Sequence, residues 1–288
     1  MPLIRRRVDL DDHLVLALDG VVCGDVIAAE GGDISAQVIR EPNASGFVHK
    51  RLGPAAPKPI ELTLDLSLRP VVYEWINAFW QGQISPKNGT LVSVDASLQA
   101  KGQLVFEGAV IGATRFPTVD AAIGGPGRFE VTILPARTTF TLGTGQPLHG
   151  LVPKKASHSW RASNFKLQID GLNCMRVSKV DAAVIIRSTG VIDFPDVLIT
   201  LTMADSEQWY AWRDEFVEKG KNDAGHEKSG TLTFLRADMK TQLGRVNLSG
   251  LGIYRLAPET MAEESGRTIK RLVAQLYCQR MELSVGPG

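Results

Sequence analysis

The sequence predicts a mainly β chain made of two tandem domains, each with one helix. Three observations carry that prediction. Several short segments alternate apolar and polar residues at period two, the pattern of a half-buried strand. Asp-Gly pairs stand between such segments, which is a hairpin-turn signal. The whole order of elements then occurs twice along the 288 residues, a length suited to about two domains.

The first match joins His13–Cys23 to Asn164–Cys174, where Asp19-Gly20 and Asp170-Gly171 and the following cysteine recur at one spacing. Both Asp-Gly pairs are expected to turn a hairpin. The second match is a strand. Ile60, Leu62, Leu64 and Leu66 alternate with Glu61, Thr63 and Asp65, and Val197, Ile199, Leu201 and Met203 follow the same period. One face of such a strand is buried, and the other is wet or covered from outside the domain. A helix follows in each half. Pro70 suits a helix start, where its missing N–H costs little. Val72, Trp75 and Phe79 then share a face, and Gly82 ends the helix. In the second half Asp205 and Gln208 are placed for a capping box. Trp209, Trp212 and Phe216 repeat the i, i+3, i+7 stripe before Gly220, and a stripe of that kind packs on a core. Gly89-Thr90-Leu91 answers Gly230-Thr231-Leu232, Gly108 answers Gly250, and Arg128–Leu134 answers Arg271–Tyr277. The expected division is therefore 1–140, a linker at 141–163 rich in Gly, Pro and Lys, and 164–288.

Composition narrows the function. Thirty-two Lys and Arg stand against 31 Asp and Glu, for a formal net charge of +1, so no basic excess points to a gripped nucleic acid. No run of about 18 apolar residues predicts a membrane span, and no signal-peptide core follows the basic Met1–Arg7 start. Cys23, Cys174 and Cys278 are odd in number and lack C-x-x-C spacing, which argues against a disulfide framework or zinc site. Synthesis in a reducing cytoplasm fits. The N-x-S/T triplets at Asn43, Asn88 and Asn247 are chance matches on that reading.

The motifs of catalysis are weak. His13, His49, His149, His158 and His226 are scattered, with no H-E-x-x-H pattern. Asp9, Asp11 and Asp12 lack the glycine and terminal glutamate of a calcium loop. Gly143-Thr144-Gly145 lacks the third glycine of a dinucleotide fingerprint. Ser157-His158-Ser159 has no third group placed for it. Cys23 and Cys174 read as small buried apolar residues, and the tryptophan stripes read as core. No catalytic residue, cofactor or metal site is expected.

The order of elements, with a Trp-centred helix leading into a Lys-x-Gly-Thr-Leu strand, resembles the phage tail tube family in its T4-like branch, shared with contractile injection systems. Trp209-Tyr210-Ala211-Trp212 after Asp205-Ser206-Glu207 matches the Trp-x-Trp-like helix of that family. The first half keeps Trp75 and has Val72 for the other tryptophan. Gly82 through Lys87-Asn88-Gly89-Thr90-Leu91, and Gly220 through Lys228-Ser229-Gly230-Thr231-Leu232, match the segment that follows. The resemblance implies a small β-barrel or sandwich flanked by one helix, joined side by side with others into rings that stack into a tube.

It further implies a structural role in the virion tail or injection particle: forming, initiating or capping an inner tube through which DNA or effectors pass without specific binding. The tandem differs from one-domain tube proteins. Three fused chains would make a pseudo-sixfold trimer, with a hexamer as the alternative. Adjacent tube, baseplate or spike proteins are the implied partners. The long Gly31–Pro59 loop, with Arg40, Lys50 and Arg51, is the candidate gripping element. The wet strand positions Glu61, Thr63 and Asp65 are candidate interface residues. A monomeric tandem β-sandwich that binds ligands such as glycans is the competing reading.

Overall fold

A computed structural model describes residues 13–42, 45–66, 68–95, 97, 99–143, 160–188, 190–204, 206–259 and 271–285. Asp9, Asp11, Asp12, Asn43, Gly145, His149, Ser157, His158, Ser159 and Asp205 lie outside these residues, as does most of the 141–163 linker. The fold is mainly β, with 61% strand, and the sheets curl, one of them into a half-barrel. Among the described residues no helix is long and apolar enough to cross a membrane.

The chain opens with β1 (His13–Leu18), β2 (Val21–Val26) and β3 (Ala28–Gly31), then a long hairpin of β4 (Ile34–Pro42) and β5 (Val48–Pro57). Strand β6 (Ile60–Leu64) leads to α1 (Pro70–Trp80). After it come β7 (Lys87–Val94), the 17-residue β8 (Ala100–Phe116), β9 (Val119–Asp120), β10 (Phe129–Leu134) and β11 (Arg137–Leu142). The second run has β12 (Phe165–Ile169), β13 (Val177–Val180), a short hairpin of β14 (Ala183–Ser188) and β15 (Val191–Asp193), and β16 (Val197–Thr202). Helix α2 (Glu207–Arg213) continues as a π-turn over Asp214–Glu218. It is followed by β17 (Lys228–Leu235), the 17-residue β18 (Gln242–Pro258) and β19 (Arg271–Val285).

Two compact units divide the described residues. The first takes those of 1–64, 84–112 and 131–155, and the second those of 65–83, 113–130 and 156–288. Helix α1 and the β8–β10 connection thus belong to the second unit, although they precede its other strands in sequence. The strand order of the first sheet is β2-β1-β7-β8-β10-β6-β3, with β11 also on β8. The second sheet runs β12-β17-β18-β19-β16-β13-β9. Set β2 and β9 aside and the two orders correspond strand for strand.

Inside the first unit the alternation of β6 works as its pattern requires. Ile60, Leu62 and Leu64 are buried, with Leu16, Leu18, Leu91, Leu104, Phe106, Val131 and Ile133. Val15, Val92 and Val94 form a separate apolar cluster with Val22 and Ala100 against it. The Asp19–Gly20 turn closes the β1–β2 hairpin with both residues at positive φ, 47° and 81°, the pairing a two-residue turn demands. Asp170–Gly171 turns the chain but makes no hairpin, because β12 pairs with β17 and β13 pairs with β16.

The second unit is built on rings. Trp80 meets Phe116 at 5.1 Å, Phe116 meets Phe129 at 4.8 Å, and Trp160 meets Phe234 at 4.6 Å. Phe129 bridges to both Trp160 and Phe234. Such tilted and edge-on pairs add to the burial of large apolar surfaces. Gly127 is small because Trp160 lies against it: a Cβ there would sit 1.9 Å from the indole.

A candidate assembly interface

The Gly31–Pro59 segment, expected as a loop, is mostly strand. β4 and β5 pair antiparallel from Ile34↔Pro57 to Pro42↔Val48. The side chains stay largely exposed, including Ile34, Val38, Phe47, Val48 and Leu52. With no face buried, no period-two signal was written into the sequence, and its prolines read as loop. The pairing sorts its charges. Arg40 stands directly opposite Lys50, a like-charge arrangement that costs a few tenths of a kcal/mol to about 1 kcal/mol. Arg51 instead reaches Glu41 at 2.8 Å, so its charge is answered within the hairpin. At the base Lys58 pairs with Asp33 at 2.9 Å.

Glu61 and Thr63 point away from the core on β6, as the alternation requires. Glu61 faces Glu30 across the β3–β6 ladder, and Thr63 faces Ala28. Asp65 follows the strand, and its backbone carbonyl accepts the Tyr73 hydroxyl at 3.1 Å. The structure therefore places Arg40 and Lys50 together on the hairpin and Glu61 with Glu30 on β6 and β3.

The helix residues are all buried: Val72, Trp75 and Phe79 on α1, and Trp209, Trp212 and Phe216 on α2 and its π-turn. Helix α1 buries a second row, Tyr73, Ile76 and Trp80, which the stripe did not announce. Asn77 holds it down. Leu283 N–H donates to Asn77 Oδ1 at 2.8 Å, and Asn77 Nδ2 donates to the Leu283 carbonyl. Trp80 Nε1 donates to Thr114 Oγ1 at 2.9 Å. The expected capping box rests on Asp205, outside the described residues, and on Gln208. Gln208 Oε1 accepts from Asn173 N–H at 2.6 Å, while Trp209 Nε1 donates to the Asn173 carbonyl at 3.0 Å.

The sheet margins are the other feature of the surface. In the first sheet the far edge of β1 is covered by β2. In the second, the matching edge of β12 has no strand against it among the described residues. An open edge presents unpaired N–H and C=O groups and is a template for another strand. Lys166 and Gln168 line the exposed face of β12.

Among the described residues no three His, Cys, Asp or Glu side chains converge as a metal site. Cys23 and Cys278 are buried and Cys174 partly so. Burial pushes the Cys278 thiol up to about 11 and raises that of Cys174, away from thiolate reactivity. A cavity in the second unit, lined by Phe116, Leu167, Phe234, Leu248 and Met281 among others, has a volume of about 30 Å³. A small-molecule pocket is typically about ten times larger or more.

Three solved structures resemble the chain in part. The anti-feeding prophage tube-terminating cap is 22% identical with a TM-score of 0.39, covering 45% of this chain and 87% of the other. The sheath-tube complex of the PVC extracellular contractile injection system is 17% identical with a TM-score of 0.40, covering 48% and 94%. The sheath/tube terminator of the same system is 18% identical with a TM-score of 0.39, covering 44% and 92%. No family model matches the sequence, and no curated protein does.

Proposed function

We propose that this chain is a structural subunit that assembles into rings, forming, starting or capping the inner tube of a phage tail or contractile injection system. The observation that carries the reading is the shared strand order of the two sheets, one of which, among the described residues, leaves the β12 edge open. Two fused copies of one domain make a chain that is two-sixths of a sixfold ring, so three chains close it. Closure covers the edges that a single molecule exposes. The domains are then 1–140 and 164–288, joined by 141–163, and helix α1 and the β8–β10 connection are the parts of the first copy that dock on the second.

The largely exposed β4–β5 hairpin is the element for contact with a neighbouring ring or with a baseplate or spike protein. Its Arg40–Lys50 pair favours an acidic surface there. Cargo, DNA or effector, passes without a specific site. Mass photometry and negative-stain microscopy of the purified protein test the reading. Rings of three chains with six lobes are expected, with six chains as the variant outcome. A strict monomer at micromolar concentration, without rings or tubes on grids, overturns it.

A further inference from the structure

Helix α2 has a face that its sequence counterpart buries. The spacing that matches Trp75 with Trp212 also matches Leu66 with Met203, Asn77 with Asp214 and Trp80 with Val217. On α1 that row is covered. Leu66 lies over Gly244, Asn77 bonds the Leu283 backbone, and Trp80 packs on Phe116. Leu66 is 8% exposed and Trp80 3%, while Met203 is 37% and Val217 46%.

The cover on α1 is the end of β19, and its counterpart is also bare. Leu232 pairs with Val246, which pairs with Leu283. Leu91 pairs with Leu104, which pairs with Phe140. Phe140 of β11 therefore holds the register position of Leu283. Leu283 is 2% exposed and Phe140 44%, with Leu142 beyond it more open still. One half of a contact is uncovered on α2, and the other half is uncovered on β11.

We propose that these two surfaces meet between copies: the Phe140–Leu142 margin of β11 docks on the surface of Met203, Asp214 and Val217, just past the end of β16 and on the π-turn that continues α2, in a second copy of this chain. This reproduces the α1–β19 contact that the second unit already contains. The contact joins unlike surfaces, so it runs head to tail and generates a ring where the rotation closes. The inference rests on reading the two halves as copies and on the ring-forming role.

Cysteine trapping tests it. Asn77 reaches the Leu283 backbone with one short side chain, so cysteines at the matching positions are the pair to trap with a disulfide, which spans roughly 4.4–6.8 Å between Cα atoms. The double variant Phe140→Cys with Asp214→Cys is oxidised in the full chain, with each single variant and the wild type as controls. A ladder of covalent multiples that ends at the closed ring, in the double variant only, is expected. Rings on grids without cross-linking overturn this contact and leave the ring-forming role standing. A disulfide closed within one chain also overturns it. Absence of both rings and cross-links removes both claims. Val217→Glu supplies a second readout, because burying an unpaired carboxylate weakens assembly roughly tenfold or more. The expected result is single-chain mass with an unchanged melting curve, and wild-type assembly by this variant overturns the contact.

Discussion

Helices α1 and α2 carry the same aromatic stripe, yet α1 buries two rows of side chains and α2 one. The stripe marks the row that faces a helix's own sheet in both cases. The second row follows from what else lies nearby: α1 has the end of β19, Phe116 and Thr114 against it. The hairpins show the reverse. β14–β15 is short and paired onto residues 113–116 of β8, whereas β4–β5 is long and largely exposed. Each half holds one element that its own chain packs or pairs onto a neighbouring element, α1 and β14–β15, and one that it leaves more open, β4–β5 and α2. Equal sequence patterns therefore do not imply equal burial, and the differences mark where a second molecule has room.

Trp80→Ala tests the helix comparison most severely. It removes a buried indole from the ring cluster and leaves the buried Thr114 hydroxyl without its donor. A loss of about 3–5 kcal/mol is expected. Val217→Ala, at the matching position on α2, should change the stability of the dilute single chain by about 0.5 kcal/mol or less. Urea unfolding followed by tryptophan fluorescence measures both, and equal effects would break the comparison.

Asn77→Ala sharpens the same point at smaller scale. The side chain answers both the N–H and the carbonyl of Leu283, a buried residue. Its truncation leaves that backbone unpaired and should cost about 1–3 kcal/mol, again by urea midpoint. Asp214→Ala should cost well below that in the dilute chain, because among the described residues the Asp214 side chain pairs with its neighbour Arg213 and with no distant strand.

Much of this arrangement was legible in residues. Gly108 and Gly250 correspond in sequence, and both sit at positive φ, 57° and 66°, beside register shifts of the β7–β8 and β17–β18 ladders. Gly89 and Gly230 correspond too, and each is small because of a close neighbour: the Phe106 ring and the Ala17 carbonyl, or the Gln168 carbonyl. Gly220 lies one residue further from Trp212 than Gly82 does from Trp75, and the π-turn over Asp214–Glu218 absorbs that residue. Other features left no local trace. β4–β5 has no buried face to impose a period. The second row of α1 is covered by strands distant in sequence, so its apolar character showed while its partner did not. Among the described residues the edge of β12 is open because β13 pairs with β16, which follows from topology and not from a motif. Of the candidate interface residues, Arg40, Lys50, Glu61 and Thr63 were visible as charged or alternating positions, but Glu30 opposite Glu61 needed the ladder.

The two Asp-Gly turns offer the mildest test of the comparison. Asp19 takes Lys87 Nζ at 2.7 Å and Asn88 N–H at 3.0 Å, tying the β1–β2 hairpin to β7. The matching lysine of the second half, Lys228, lies instead over the Trp212 ring at 5.4 Å. The Lys87 hydrogen bond holds the Asp19 carboxyl below its ordinary value of 3.8, against a smaller opposing effect of burial, with Asn88 N–H adding to the lowering. A carboxylate depressed in the folded state contributes stability above its unfolded pKa and loses it as pH falls through the folded one. Asp19→Asn keeps a side chain that tolerates the positive φ, so the backbone turn survives and only the ion pair goes. The variant should be less stable than wild type by no more than about 1 kcal/mol at pH 7, since the pair is partly exposed. That difference should hold at pH 5 and close as the pH falls below 3.8. Urea midpoints at pH 7, 5 and 3 measure it, with Asp170→Asn as the control that removes a turn carboxylate without removing a lysine contact. A gap that stays constant down to pH 3 would mean that the turn geometry, and not the charge on Asp19, separates the two halves here.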